Sequence, residues 1–163
     1  MRWRFGTSVA VGWTNLISIM ATVLLLDDSE SNLPSLQVAL EHAGHSVLAA
    51  ANGREGLELL ASHCPHVIVT DWQMPLMDGV EFCSLLRQRI IFRSVPIILL
   101  SGRPEPEHPN PPWTQYFRKP VSLARLTHAV ESLANPRLFR AHADVGISPL
   151  MSRWVAVNAA CWP

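Results

Sequence analysis

Val67-Ile68-Val69-Thr70-Asp71-Trp72-Gln73-Met74-Pro75-Leu76-Met77-Asp78-Gly79 is the stretch whose reading decides the fold. Val67 to Val69 is a short apolar run, as expected of a strand buried in a parallel sheet. A carboxylate follows at Asp71, then a turn with Pro75, Asp78 and Gly79, then a helical segment. In an open α/β sheet, ligands bind beyond the carboxyl ends of the strands. Asp71 is therefore a candidate reactive group, although aspartate is also a common turn former.

Working outward, the same alternation recurs. Thr22 to Leu26 reads as a buried strand ending in Asp27-Asp28. Ser31 or Asn32 can cap the next helix, Pro34 fits its first turn, and Gly44 ends it. Leu33, Leu36, Val38, Leu40 and Ala43 supply its apolar residues. A second strand spans 46–50, Asn52-Gly53 forms a turn, and 54–61 is a helix. A third helix covers 80–88, with Val80, Phe82, Leu85 and Leu86 on one side. Pro96 to Leu100 is a fourth strand, ending at Ser101-Gly102. Residues 103–112 hold five prolines, which exclude a regular helix there. Tyr116 to Arg118 is a short fifth strand, followed by Lys119-Pro120. Ser122 can cap a last helix, in which Leu123, Leu126, Val130 and Leu133 recur at amphipathic spacing. The order β-α-β-α-β-α-β-loop-β-α predicts a parallel sheet covered by helices on both faces. The first loop lacks a glycine-rich dinucleotide fingerprint, which counts against such a cofactor.

The chain of 163 residues has length for one full core over 21–135, flanked by an N-terminal extension over 1–20 and a tail over 136–163. Residues 21–135 contain twelve acidic and eight basic side chains, while the flanks set five arginines against Asp144. A mildly acidic domain argues against a nucleic-acid partner, since phosphate contact needs a basic surface. Arg2, Arg4 and the run Val9 to Met20 could pass for a weak signal or a membrane-associating helix, but the run is too short and polar for a convincing span. An extension outside the fold, with a translation start at Met20, is the simpler reading, and no membrane partner is expected. Three widely spaced cysteines, Cys64, Cys83 and Cys161, indicate neither a disulfide framework nor a zinc site, which fits a reducing, cytoplasmic setting. The seven histidines show no metal-ligand spacing and read as surface or boundary residues.

Four strand ends carry polar groups able to meet at one edge: Asp27 and Asp28, Asp71, Ser101 and Lys119. Clustered carboxylates repel unless a cation joins them, and an oxygen-only ligand set fits Mg²⁺. Lysine supplies a movable point charge, and Lys119 is the one lysine against twelve arginines. The serine hydroxyl can donate to a phosphoryl oxygen. Aspartate can act as a nucleophile and form an acyl phosphate. The set therefore points to phosphoryl transfer onto Asp71.

With these residues in place, the sequence resembles a two-component response-regulator receiver domain of the stand-alone, chemotaxis-regulator kind. The features are Leu24-Leu25-Leu26-Asp27-Asp28, Asp71-x-x-Met74-Pro75-x-Met77-Asp78-Gly79, Pro96-Ile97-Ile98-Leu99-Leu100-Ser101-Gly102 and Lys119-Pro120. The resemblance implies a flavodoxin-like, doubly wound five-stranded parallel sheet of order 2-1-3-4-5. It implies that Asp71 is the phosphoacceptor, that Asp27, Asp28 and Asp71 bind Mg²⁺, and that the Gln73 backbone carbonyl adds a ligand. Ser101 and Tyr116 would be the switch pair, and Lys119 the lysine whose bond to Pro120 is often cis. The implied partners are a sensor histidine kinase or histidine phosphotransfer protein, a downstream protein and, in some settings, a second copy. Such a domain is a phosphoacceptor with slow self-dephosphorylation rather than a dedicated enzyme.

One departure is expected in the fold. The segment between Ser101 and Lys119 is short and proline-rich, so the helix that relatives carry there is shortened or missing. In relatives that face commonly carries the output signal. Three rival readings remain: a phosphorylation-independent interaction module with a relic acidic site, an aspartyl-phosphate hydrolase, and the basic tails on a membrane or nucleic acid. The hydrolase lacks a cap and a second acid/base group, since Asp78 is read as serving the turn, and the scattered arginines of the tails make no patch. Gln73 and Arg103 are expected to border the path of a hydrolytic water.

Overall fold

The computed structural model of the chain describes residues 20–107 and 109–134. The extension over 1–19 and the tail over 136–163 lie outside the described residues. Five strands form one sheet: β1 (Thr22–Leu26), β2 (Ser46–Ala50), β3 (Val67–Asp71), β4 (Ile97–Ser101) and β5 (Gln115–Arg118). Every adjacent pair is parallel and the order is β2-β1-β3-β4-β5, as the resemblance implied. Four helices accompany them: α1 (Asn32–His42), α2 (Gly53–Leu59), α3 (Gly79–Gln88) and α4 (Leu123–Ala134).

Strand side chains alternate between the two faces. Val23, Leu25, Val67, Val69, Ile98 and Leu100 pack on one face with Leu36, Leu40, Leu126 and Val130 from α1 and α4. Leu24, Leu26, Ile68, Ile97 and Leu99 pack on the other with Phe82, Cys83 and Leu86 of α3 and with Leu60. Burial on both faces is why these strands read as unbroken apolar runs.

The helix faces are narrower than the apolar content implied. On α1, Leu36 and Leu40 are buried four residues apart, while Val38 points away and is 52% exposed. On α3 the buried residues are Gly79, Phe82, Cys83 and Leu86, so Cys83 rather than Leu85 faces the core. Burial pushes the Cys83 thiol up to about 12, which leaves it an inert core residue. Neither Ser31 nor Asn32 caps α1 with its side chain; Ser29 Oγ accepts from the Asn32 amide at 3.3 Å instead. Asn52 does more than turn the chain, because its side chain accepts from the Glu55 amide at 3.0 Å and caps α2. Gly56 lets α2 lie close on the sheet: a Cβ there would stand 2.6 Å from Leu26 Cδ2.

Two histidines read as surface or boundary residues lie at strand boundaries, withdrawn from the surface. His45 is buried, in an α1–β2 connection folded tightly by its amide bond to Leu40 O at 3.1 Å. His66 is half-buried and joins β1 to β3 twice over. Its amide donates to Thr22 O at 2.8 Å and its Nδ1 accepts from Thr22 N at 2.9 Å.

No helix links β4 to β5 among the described residues, as the prolines required. Trp113 covers the sheet there instead, packed with Ile97 and Leu99 and only 5% exposed. Its Nε1 donates to Glu105 Oε1 at 2.9 Å, and its ring centroid lies 6.4 Å from that of Tyr116. The loop is stitched to β4 through Thr114, whose amide donates to Ile97 O at 2.7 Å.

Candidate functional site

The strand register brings the polar ends together. Leu26 pairs with Thr70, Asp71 with Leu100, and Ser101 with Arg118. Asp27 and Lys119 each follow a strand by one residue, and Asp71 and Ser101 are the last residues of theirs. All of these side chains therefore reach the same carboxyl edge.

Lys119 lies between two carboxylates. Its Nζ is 3.0 Å from Asp27 Oδ2 and 3.1 Å from Asp71 Oδ2. Asp27 is fully buried, Asp71 nearly so, and Asp28 is exposed at the rim. Asp27 Oδ1 accepts from the Ser29 amide at 2.9 Å, which fixes the turn into α1. Asp71 Oδ1 accepts from the Trp72 amide at 2.8 Å, leaving Oδ2 to the lysine and the open side. Burial pushes the Asp71 carboxyl above the usual carboxylate range; Lys119 opposes this and the Asp27 charge adds to it. Burial also works against the Lys119 ammonium, but its bonds to Asp27 and Asp71 outweigh that and the net shift is upward.

Asp27, Asp28 and Asp71 each offer an oxygen, and these oxygens lie within 4.8 Å of one another. Three carboxylate oxygens this close together fit a hard divalent cation such as Mg²⁺. Gln73 follows on the exposed loop two residues past Asp71. That loop turns back sharply: Met77 N donates to Pro75 O at 2.7 Å across Leu76, whose φ is 66°, the form of a γ-turn. Asp78 then caps α3 by accepting from the Glu81 amide at 2.8 Å, the turn role expected of it.

Ser101 is fully buried and its Oγ accepts from the Arg103 amide at 3.0 Å. Arg103 O in turn accepts from the Tyr116 hydroxyl. The expected switch pair is thus joined through one intervening residue. Lys119 N donates to Ser101 O at 2.7 Å, and the Lys119–Pro120 bond is cis.

Supports that the sequence did not advertise hold Asp71 in place. Thr70 Oγ1 donates to Asp71 O at 2.9 Å. Gly79 N donates to Trp72 O at 2.9 Å, so close that a Cβ on Gly79 would stand 2.1 Å from Asp71 O. The glycine in the Asp78-Gly79 pair was visible as a turn signal. Its contact with the backbone of Asp71 was not, since nothing in sequence reports the return of a loop.

Residues 23–131 match the family described as the response regulator receiver domain. The chain belongs to that family. The receiver is 37% identical over 83 residues to the alkaline phosphatase synthesis transcriptional regulatory protein PhoP of Bacillus subtilis, covering 51% of this chain and 34% of PhoP. It is 29% identical over 114 residues to protein PilG of Pseudomonas aeruginosa, covering 68% of this chain and 84% of PilG. The chain thus spans about a third of the length of the first curated relatives it matches. Among solved structures, the receiver resembles chemotaxis response regulator CheY4 of Vibrio cholerae at 31% identity and a TM-score of 0.64, covering 71% of this chain and 99% of CheY4.

Proposed function

We propose that this receiver takes a phosphoryl group onto Asp71 from the phosphohistidine of a sensor histidine kinase or phosphotransfer protein, and signals by protein contact in the cytoplasm. One observation carries the reading: Lys119 Nζ stands 3.0 Å and 3.1 Å from Asp27 and Asp71, with Asp28 alongside.

In the transfer, Asp71 Oδ2 attacks phosphorus, the P–N bond to imidazole breaks, and its electron pair stays on the ring nitrogen. The product is an acyl phosphate on Asp71. Asp27, Asp28 and Asp71, with the Gln73 backbone carbonyl, would hold Mg²⁺, which when bound neutralises charge on the transferring oxygens. Lys119 releases Asp71 Oδ2 and turns its ammonium to a phosphoryl oxygen, remaining anchored on Asp27. Ser101 exchanges the Arg103 amide for a hydrogen bond to another phosphoryl oxygen. Arg103 and Gln73 flank the approach of the hydrolytic water.

The test is intact-mass measurement after incubation with acetyl phosphate. Wild type with Mg²⁺ gains one phosphoryl group, whereas Asp71→Asn, or wild type in EDTA, gains none. Folded, Mg²⁺-saturated wild type that stays unmodified would leave the phosphorylation-independent interaction module as the better reading.

A further inference from the structure

The turn from α3 into β4 sits at the edge of the sheet opposite the aspartates, because it feeds the amino end of β4. Its tip presents Ile90 at 85% and Ile91 at 55% exposure, two adjacent branched apolar residues. The next residue, Phe92, points inward and is 6% exposed.

This tip is rigid. Arg87 Nη1 reaches across it and donates to Phe92 O at 3.3 Å, Arg93 O at 3.1 Å and Val95 O at 2.9 Å. The Phe92 and Arg93 amides both return to Arg89 O, at 3.1 Å and 2.9 Å. The isoleucines are thus held outward by a preformed turn, and docking them orders little further chain.

Charge selects the partner. Arg89 and Arg93 flank the isoleucines and are exposed. No carboxylate occurs between residues 82 and 104, although the domain as a whole is acidic. Glu41, Glu58 and Glu131 lie near the ends of the other three helices, so an anionic surface meets this corner and not the whole edge. Met20, 78% exposed, enters β1 at the same edge, preceded in sequence by apolar residues and by Arg2 and Arg4. An exposed apolar tip flanked by two arginines is suited to the headgroup boundary of an anionic bilayer, where the apolar side chains insert and the guanidinium groups meet phosphate.

The geometry points to the Arg89-Ile90-Ile91-Phe92-Arg93 corner as a docking tip for an anionic lipid surface. It would hold the receiver with its aspartates turned away from the bilayer. This assignment does not depend on the phosphoryl chemistry, and it revises the expectation of no membrane partner. That expectation rested on the short, polar run before residue 21, not on the 89–93 corner.

The test is co-sedimentation of the full chain, at low salt, with vesicles of phosphatidylcholine alone or mixed with phosphatidylglycerol. Wild type binds the mixed vesicles, and added salt releases it. Arg89→Gln with Arg93→Gln lowers binding about thirtyfold. Ile90→Ser with Ile91→Ser lowers it by more than about tenfold. All four positions are on the surface, so circular dichroism should match wild type. No binding to mixed vesicles overturns the proposal. Binding that survives both double variants also overturns it and moves the contact to residues 1–20. Capture on immobilised poly-glutamate without vesicle binding would overturn it in favour of an acidic protein partner.

Discussion

Asp71 and His66 illustrate two ways in which burial biases a titrating side chain. As the proposed phosphoacceptor Asp71 would need its charge, which burial resists and Lys119 favours. His66 needs to stay neutral. Burial lowers its pKa below the ordinary 6.5, and its Nδ1 lone pair accepts from Thr22. Protonation removes that lone pair and sets an N–H against the Thr22 amide. A base with a depressed folded pKa contributes stability above its unfolded pKa and loses it as pH falls through the folded one. Thermal stability should therefore decline as pH drops below about 6.5, and His66→Asn, which keeps an acceptor, should flatten that decline. Melting curves across this range, wild type beside variant, check it. Sequence exposed the aspartates because each follows an apolar run. It hid His66 because a histidine before a strand looks like any loop residue, and its bond to Thr22 spans 44 positions.

Among the elements, the β4–β5 connection is the one crossover without a helix among the described residues. Five prolines made the missing helix legible, because each removes a donor and restricts its neighbour. What replaced it was not legible, since a lone tryptophan beyond a proline run has no periodicity to mark it as core. Trp113 closes that end of the sheet by packing on Ile97 and Leu99 and pairing with Glu105. Trp113→Ala should cost about 3–5 kcal/mol in urea unfolding. Trp113→Phe, which keeps most of the apolar volume, should cost distinctly less. Helix faces were read too broadly for a related reason: apolar content does not fix azimuth. Val38 sits midway between Leu36 and Leu40, on the side of the helix that the sheet does not touch.

For the whole molecule, the sheet order places every polar strand end on one edge, so stability and the site share the same charges. A cation that binds only the folded chain stabilises it by mass action, about 2.7 kcal/mol at a hundred times its dissociation constant. Mg²⁺ should raise the melting temperature of wild type. Asp28→Asn should lose most of that rise without a lower melting temperature in EDTA, because Asp28 is an exposed side chain. Calorimetry with Mg²⁺ and with EDTA distinguishes the two contributions.

The contact between Lys119 and Asp27 joins residues 92 positions apart, from either side of the sheet's central strands. During synthesis Asp27, Asp28 and Asp71 leave the ribosome well before Lys119 does. Until β5 docks, the growing chain holds a knot of like charge with no ammonium to quiet it. The final strand therefore completes the proposed phosphoacceptor site as well as the sheet. A nascent chain or a clipped fragment ending before it would carry Asp27, Asp28 and Asp71 and still lack Lys119.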